Sequence, residues 1–107
     1  MKTSEISFKV TVDDNHLPVN IEWEDKDAGE KSASKSVMIA LWDAHENNTM
    51  RIDLWTKDMS VDEMKKFYFQ NMLTLSDSYV RATGDETNAN KVKKFLGEVG
   101  KEAGVLQ

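Results

Sequence analysis

Hydrophobic and polar residues alternate twice near the start of the chain. Ile6, Phe8, Val10 and Val12 are separated by Ser7, Lys9 and Thr11, the period of a strand with one apolar and one polar face, and a strand is predicted over residues 4–12. Asp13-Asp14-Asn15-His16 supplies turn chemistry, and Pro18 can open a strand but not occupy its middle. Val19, Ile21 and Trp23 then alternate with Asn20, Glu22 and Glu24, which predicts a second strand over residues 18–24. Residues 25–34 are charged and small, with Gly29 and two serines, and read as a loop.

The segment over residues 37–44 fits two patterns. Ala33, Val37 and Leu41 lie at helical spacing, whereas the unbroken run from Val37 to Trp42 suits a strand buried on both faces. Hairpin geometry favours a strand here, paired with a fourth over residues 50–56. Asn47-Asn48 tolerates positive φ and suits a two-residue turn between Glu46 and Thr49. That turn would pair Leu41 with Leu54, Trp42 with Asp53 and Asp43 with Ile52. Ile39, Leu41, Ile52 and Leu54 then share one face, and Ala40, Trp42, Arg51, Asp53 and Trp55 share the other. A bulged three-residue turn would exchange the two faces.

From Ser60 the period changes to that of a helix. Ser60 and Glu63 have the spacing of a capping box, and Met59 and Met64 that of a hydrophobic staple. Val61, Met64, Phe67, Tyr68, Met72, Leu75 and Tyr79 recur at three- and four-residue steps, which predicts an amphipathic helix over residues 61–83 that Gly84 ends. A second helix over residues 88–101 is supported by Val92, Phe95, Leu96 and Val99, although Gly97 and Gly100 each cost about 1 kcal/mol against alanine. Four strands followed by two helices predict one α+β domain over residues 1–107. Its expected form is a four-stranded antiparallel meander with both helices on one face, the face of Ile39, Leu41, Ile52 and Leu54.

Composition narrows the chemistry. The 107 residues include no cysteine, which excludes disulfides and thiolate metal sites. A hydrophobic content of 39% with 31% charged residues is that of a folded chain. A formal charge of −5 argues against a nucleic-acid partner, whose phosphates are met by Lys and Arg. The first eight residues contain no apolar signal core, and the longest apolar run, Val37 to Trp42, is too short to cross a bilayer. A cytoplasmic protein without direct membrane insertion is expected.

Candidate catalytic and metal groups have plainer explanations. His16 with Asp13 and Asp14, and His45 with Asp43 and Glu46, lack the ligand number and spacing of a metal site, and no metal or cofactor is expected. Asp62 and Glu63 suit the positive end of a helix dipole. No nucleophile elbow or glycine-rich phosphate loop is present. Lys91, Lys93, Lys94 and Lys101 are interrupted by Glu98 and Glu102, as on a solvated face laced with ion pairs. No catalytic residue is therefore expected. Trp42, Arg51, Asp53 and Trp55 remain as candidate partner-binding residues, because Trp and Arg are enriched at protein interfaces. The competing reading is that the loop of residues 25–34, or Lys and Arg stems, covers the two indoles.

Five segments carry a family likeness: Met1-Lys2-Thr3-Ser4-Glu5-Ile6, Ile21-Glu22-Trp23, Leu41-Trp42-Asp43, the block from Arg51 to Met64, and Arg81-Ala82-Thr83-Gly84-Asp85-Glu86. Together they resemble the GldC family of gliding-motility proteins of Bacteroidota. The likeness runs from Met1 to about Glu86, and the tail from Thr87 shares only helical character. The resemblance implies a non-enzymatic accessory protein acting by protein–protein association from the cytoplasmic side of an envelope machine. Its implied partner is a protein of the gliding machinery, in a lipoprotein-associated complex, and a homodimer is left open. No catalytic residues carry over; Arg51, Asp53, Trp55, Lys57 and Asp58 are matching residues, of which Asp53 could pair with Arg51 or a neighbouring strand and Asp58 could position the helix entry. The alternative is a small-ligand-binding domain, with a pocket between sheet and helices walled by methionines and aromatics.

Overall fold

A computed structural model describes residues 1–105 of the chain. The fold is α+β, and the chain divides into two compact units, Met1–Met59 and the residues from Ser60 onward. The first unit holds five strands: β1 (Ile6–Val12), β2 (Pro18–Asp25), β3 (Glu30–Ser34), β4 (Ser36–Asp43) and β5 (Asn48–Trp55). The expected four-stranded meander is corrected by these strands, which form two antiparallel sheets, β1-β2-β3 and β4-β5. The edge of β2 expected to take residues 37–44 is occupied by β3 instead.

Alternation sorts the middle of the three-stranded sheet, while at its end Asp25 and Glu30 share the face of Ile6. Phe8 pairs with Trp23 and Val10 with Ile21, and these β2 residues face Ser32 and Ser34 of β3 on the same side. The opposite side carries Lys9, Glu22 and Ala33 in one row and Ser7, Glu24 and Lys31 in the next. Ile21, in the central strand, is fully buried. The rest of this face is less covered, with Phe8 44% and Val10 38% exposed, and a one-residue slip would turn Ile21 out of it.

β3 lies within the predicted loop, because Glu-Lys-Ser-Ala-Ser has no apolar alternation to announce it. Its partner strand and its turn make it a strand. Asp25 Oδ1 accepts the backbone N–H groups of Asp27 at 3.1 Å and Ala28 at 3.2 Å, and Gly29 takes φ +69° to complete the reversal.

The β4–β5 reversal also differs from expectation. Asp43 pairs with Asn48, so residues 44–47 form the loop and the two-residue Asn47-Asn48 turn is absent. Asp43 Oδ1 accepts from the N–H groups of His45 at 2.8 Å and Glu46 at 3.0 Å, its carbonyl accepts from Asn47 N–H at 2.9 Å, and Asn47 alone takes the left-handed conformation, φ 52°. Leu41 therefore pairs with Met50, Trp42 with Thr49 and Ile39 with Ile52. The register is displaced by four residues from the expected one. An even displacement preserves side-chain parity, so both predicted face sets stand.

The second unit is a helical hairpin, α1 (Val61–Thr83) and α2 (Glu86–Glu102). The capping box of Ser60 and Glu63 forms at 3.0 Å in both directions, and Gly84 ends α1 at φ 74°. α2 starts two residues before the expected position because Asp85, not a later residue, is its N-cap, accepting from Asn88 N–H at 3.1 Å. The helices run antiparallel: Lys65 Nζ donates to Ala103 O at 3.3 Å, and Lys93 pairs with Asp77. Phe69, Ser76, Ala89, Leu96 and Gly100 are buried, whereas Val61, Tyr68, Leu75 and Tyr79 of the predicted stripe are exposed. The buried side of α1 is thus turned by one residue from the predicted stripe, to Phe69, whose ring meets Tyr68 edge-on with centroids 5.2 Å apart.

Candidate partner-binding site

β4 and β5 place all four candidate residues on one face of the hairpin. The register sets Trp42 beside Thr49, Ala40 beside Arg51, Met38 beside Asp53 and Ser36 beside Trp55, and directly opposed residues share a face. Trp42 is 68% and Trp55 52% exposed. They do not adjoin, since Trp42 and the Ser36 that Trp55 opposes are separated by six residues, about 20 Å at the rise of a strand. The expected turn would have brought them within two positions of each other.

Between the indoles, Arg51 and Asp53 face one another along β5. Arg51 Nε donates to Asp53 Oδ2 at 3.1 Å and Nη2 to Oδ1 at 3.0 Å, the two-point fork typical of guanidinium and carboxylate. The hydrogen bonds Arg51 donates to Asp53, and then the carboxylate's charge, raise the Arg51 pKa above its ordinary value. Both members of the pair are thus matched within the strand.

Trp55 also borders a cleft of about 290 Å³ with Leu17, Pro18, Asp53, Leu54 and Lys57. Leu17 brings the end of the β1–β2 turn to this cleft. Asp13 Oδ1 accepts the N–H groups of Asn15 at 2.9 Å and Leu17 at 3.0 Å, and Oδ2 accepts from Lys57 Nζ at 2.9 Å. The Lys57 contact, followed by the Leu17 N–H, holds the Asp13 carboxyl below its usual pKa. Lys57 N–H donates to Pro18 O at 2.9 Å, tying the end of β5 to the start of β2. The link from Lys57 to Asp13, which brings the β1–β2 turn to this cleft, escaped sequence reasoning because a contact across 44 residues of chain leaves no periodic signal.

Most of the block from Arg51 to Met64 therefore has a local structural task. Ile52 and Leu54 share the face of Val37, Ile39 and Leu41. Thr56 is buried, its N–H donating to Lys35 O at 2.7 Å and its hydroxyl to Asp58 Oδ1 at 2.5 Å. Ser60 and Glu63 cap α1. Of the two histidines, His16 adopts φ 63° within the Asp13 turn and His45 donates its N–H to Asp43. Among the described residues, no group of three or more His, Cys, Asp or Glu is arranged to hold a metal.

Further hollows occur among the described residues. Met72, Leu75, Ser76, Tyr79, Asn88, Ala89 and Val92 line an apolar groove of about 320 Å³ in the helical hairpin. A more polar hollow of about 310 Å³ lies beside Asn20, Ser34, Thr56 and Asp58, and the buried Ser34 hydroxyl has no hydrogen-bond partner. No described helix is long and apolar enough to cross a membrane.

Fold and site together define a small α+β protein whose candidate site is an exposed strand face. The family described as gliding motility-associated protein GldC-like matches residues 18–104, and the chain belongs to that family. The match takes in α2, beyond the reach of the likeness read from the residues, and begins at Pro18, after β1. No curated protein and no solved structure matches the chain.

Proposed function

We propose that this chain is a non-enzymatic accessory protein of the gliding machinery that acts by associating with another protein component on the cytoplasmic side. Family membership supports the setting. The observation that carries the mode of action is the exposure of Trp42 and Trp55 on one face of a strand pair, because large aromatics left in solvent on a folded chain favour burial against a partner. The contact surface is the face of Trp42, Arg51, Asp53 and Trp55. Arg51 and Asp53 serve it as a matched pair that a partner can border without desolvating a lone charge.

The test is gliding speed in cells whose only copy carries Trp42→Ala, Trp55→Ala or both, alongside circular dichroism of the purified variants. Loss of gliding with an unchanged fold is expected, most strongly in the double variant. Full gliding by a folded double variant refutes this surface. Acrylamide quenching of the indoles should also fall on addition of the purified lipoprotein component of the machinery.

A further inference from the structure

The outer edge of a sheet invites another strand, and natural edges carry charges or bulges that discourage it. β1 forms such an edge of the three-stranded sheet, and among the described residues its hydrogen bonds run to β2 alone. Six of its seven residues are exposed, Ile6, Phe8, Val10 and Val12 among them. The one charge on β1 is Lys9. No carboxylate stands within ion-pair distance of it among the described residues, since Glu22, opposite it on β2, is turned to Lys31 at 3.9 Å. The predicted strand reaches back to Ser4, yet Ser4 and Glu5 belong to no strand in the single chain.

We propose that β1 pairs antiparallel with β1 of a second copy of this chain about a twofold axis at Ser7, joining two three-stranded sheets into one of six strands. Charge complementarity selects the register. Centring on Ser7 sets Ile6 opposite Phe8, Glu5 opposite Lys9, Ser4 opposite Val10 and Thr3 opposite Thr11, and ends the ladder before the register shift between Thr11 and Val12. No like charges stand opposite one another. Lys9 gains the carboxylate it lacks, twice by symmetry, so the lysine that ordinarily guards an edge becomes a pairing group. The contact is isologous, closing after two copies.

Each chain already holds the rest of the charge row. Glu5 Oε2 accepts from Lys26 Nζ at 3.1 Å, and its other carboxylate oxygen is left for Lys9 of the second copy. Across the joined sheet, Glu22, Lys9, then Glu5 and Lys26 of the second copy stand in one row of alternating sign. On the opposite face Ile6 meets Phe8, each exposed in the single chain. Moving the axis to Ile6 or Phe8 would lose both Glu5–Lys9 pairs. The inference stands without the functional reading above, because β1 carries none of the residues of the Trp42 and Trp55 face.

The experiment is light scattering of the full chain over a concentration series, with oxidative cross-linking of single-cysteine variants in this cysteine-free chain. The mass should rise to twice the 12.2 kDa of one chain. Ser7→Cys lies on the axis, where opposed Cβ atoms stand about 5 Å apart, and should cross-link; Thr11→Cys, about 25 Å from its counterpart, should not. Glu5→Lys and Lys9→Glu, both at exposed positions, turn the two pairs into like charges. Each should raise the concentration at which dimers form by about tenfold while leaving circular dichroism unchanged. Mixed together, the two variants should recover dimers, because every Glu at these positions then meets a Lys of the other chain. A single 12.2 kDa species at every concentration, cross-linking at Thr11 instead of Ser7, unaltered dimers in both charge variants, or no recovery on mixing overturns the proposal. Capture of a strand from a different protein by a chain that remains monomeric overturns it too.

Discussion

The two sheets use the same material differently. In β1-β2-β3, the central Ile21 is fully buried and, of the large apolar side chains on its face, only Ile6, in the row it shares with Asp25 and Glu30, is more than half exposed. In β4-β5, both faces present large apolar side chains to solvent: Leu41 at 53% and Ile52 at 51% on one, Trp42 and Trp55 on the other. Among the described strand residues the fully buried apolar side chain, Ile21, thus lies in the first sheet, and truncations in the second sheet should cost less stability. A third strand makes this difference, since only a central strand such as β2 is flanked on both edges.

The sharpest way to break this contrast is to truncate equivalent residues in each sheet. Ile21→Ala should lower unfolding free energy by about 2–5 kcal/mol, through lost transfer energy and a residual cavity. Ile52→Ala, about half exposed, should cost about 1 kcal/mol. Urea titrations of both variants measure the gap, and equal losses would mean that the hairpin contributes to the core as fully as the three-stranded sheet.

Quenching gives a second, smaller readout. In single-tryptophan variants, acrylamide should quench Trp42 most, Trp55 next and Trp23 least, because Trp23 lies within β2 and is the least exposed of the three. Inversion of Trp23 and Trp55 would undo the distinction between the sheets.

The smallest expected effect separates the turns that close them. Asp13 and Asp43 both have pKa values below the ordinary 3.8, the first mainly through Lys57 and the second through the N–H groups of Glu46 and His45. A carboxyl with a lowered folded pKa stabilises fully above its unfolded value and loses that contribution as pH falls through the folded one. Stability should therefore fall on acidification below pH 3.8, and Asp13→Asn and Asp43→Asn should each flatten part of that fall. Added salt should weaken the Asp13 contribution by screening Lys57, and leave that of Asp43 nearly unchanged. Thermal unfolding against pH at two salt concentrations checks both.

How much of the fold was legible in the sequence depends on where each signal resides. β1 and β2 announce themselves by alternation, and α1 by Ser60, Glu63 and Gly84, because those signals are local and the physics that obeys them is local. β3 is silent because its five residues become a strand only by bonding to β2. The hairpin register failed for a related reason: Asn47-Asn48 carries the composition of a tight turn, but the Asp43 side chain gathers two N–H groups and fixes a longer loop. The membership of the candidate face survived through parity, whereas the distance between its tryptophans did not. In α1 the helical period was legible, but the buried side lies one residue away from the predicted one. Tyr68 and Phe69 are adjacent aromatics, so apolarity alone does not choose which of them turns inward.

The Arg51–Asp53 fork bears on how fast a partner arrives. Two opposite charges bonded at adjacent positions of one face nearly cancel a few ångströms away, and the field they project into solvent is slight. A partner docking there would receive little electrostatic steering from this pair. Encounter would then proceed at the unsteered rate of about 10⁵–10⁶ M⁻¹s⁻¹, and changes in ionic strength would alter that rate little. Selectivity at such a face would come from the lifetime of the complex, set by how well the indoles are enclosed.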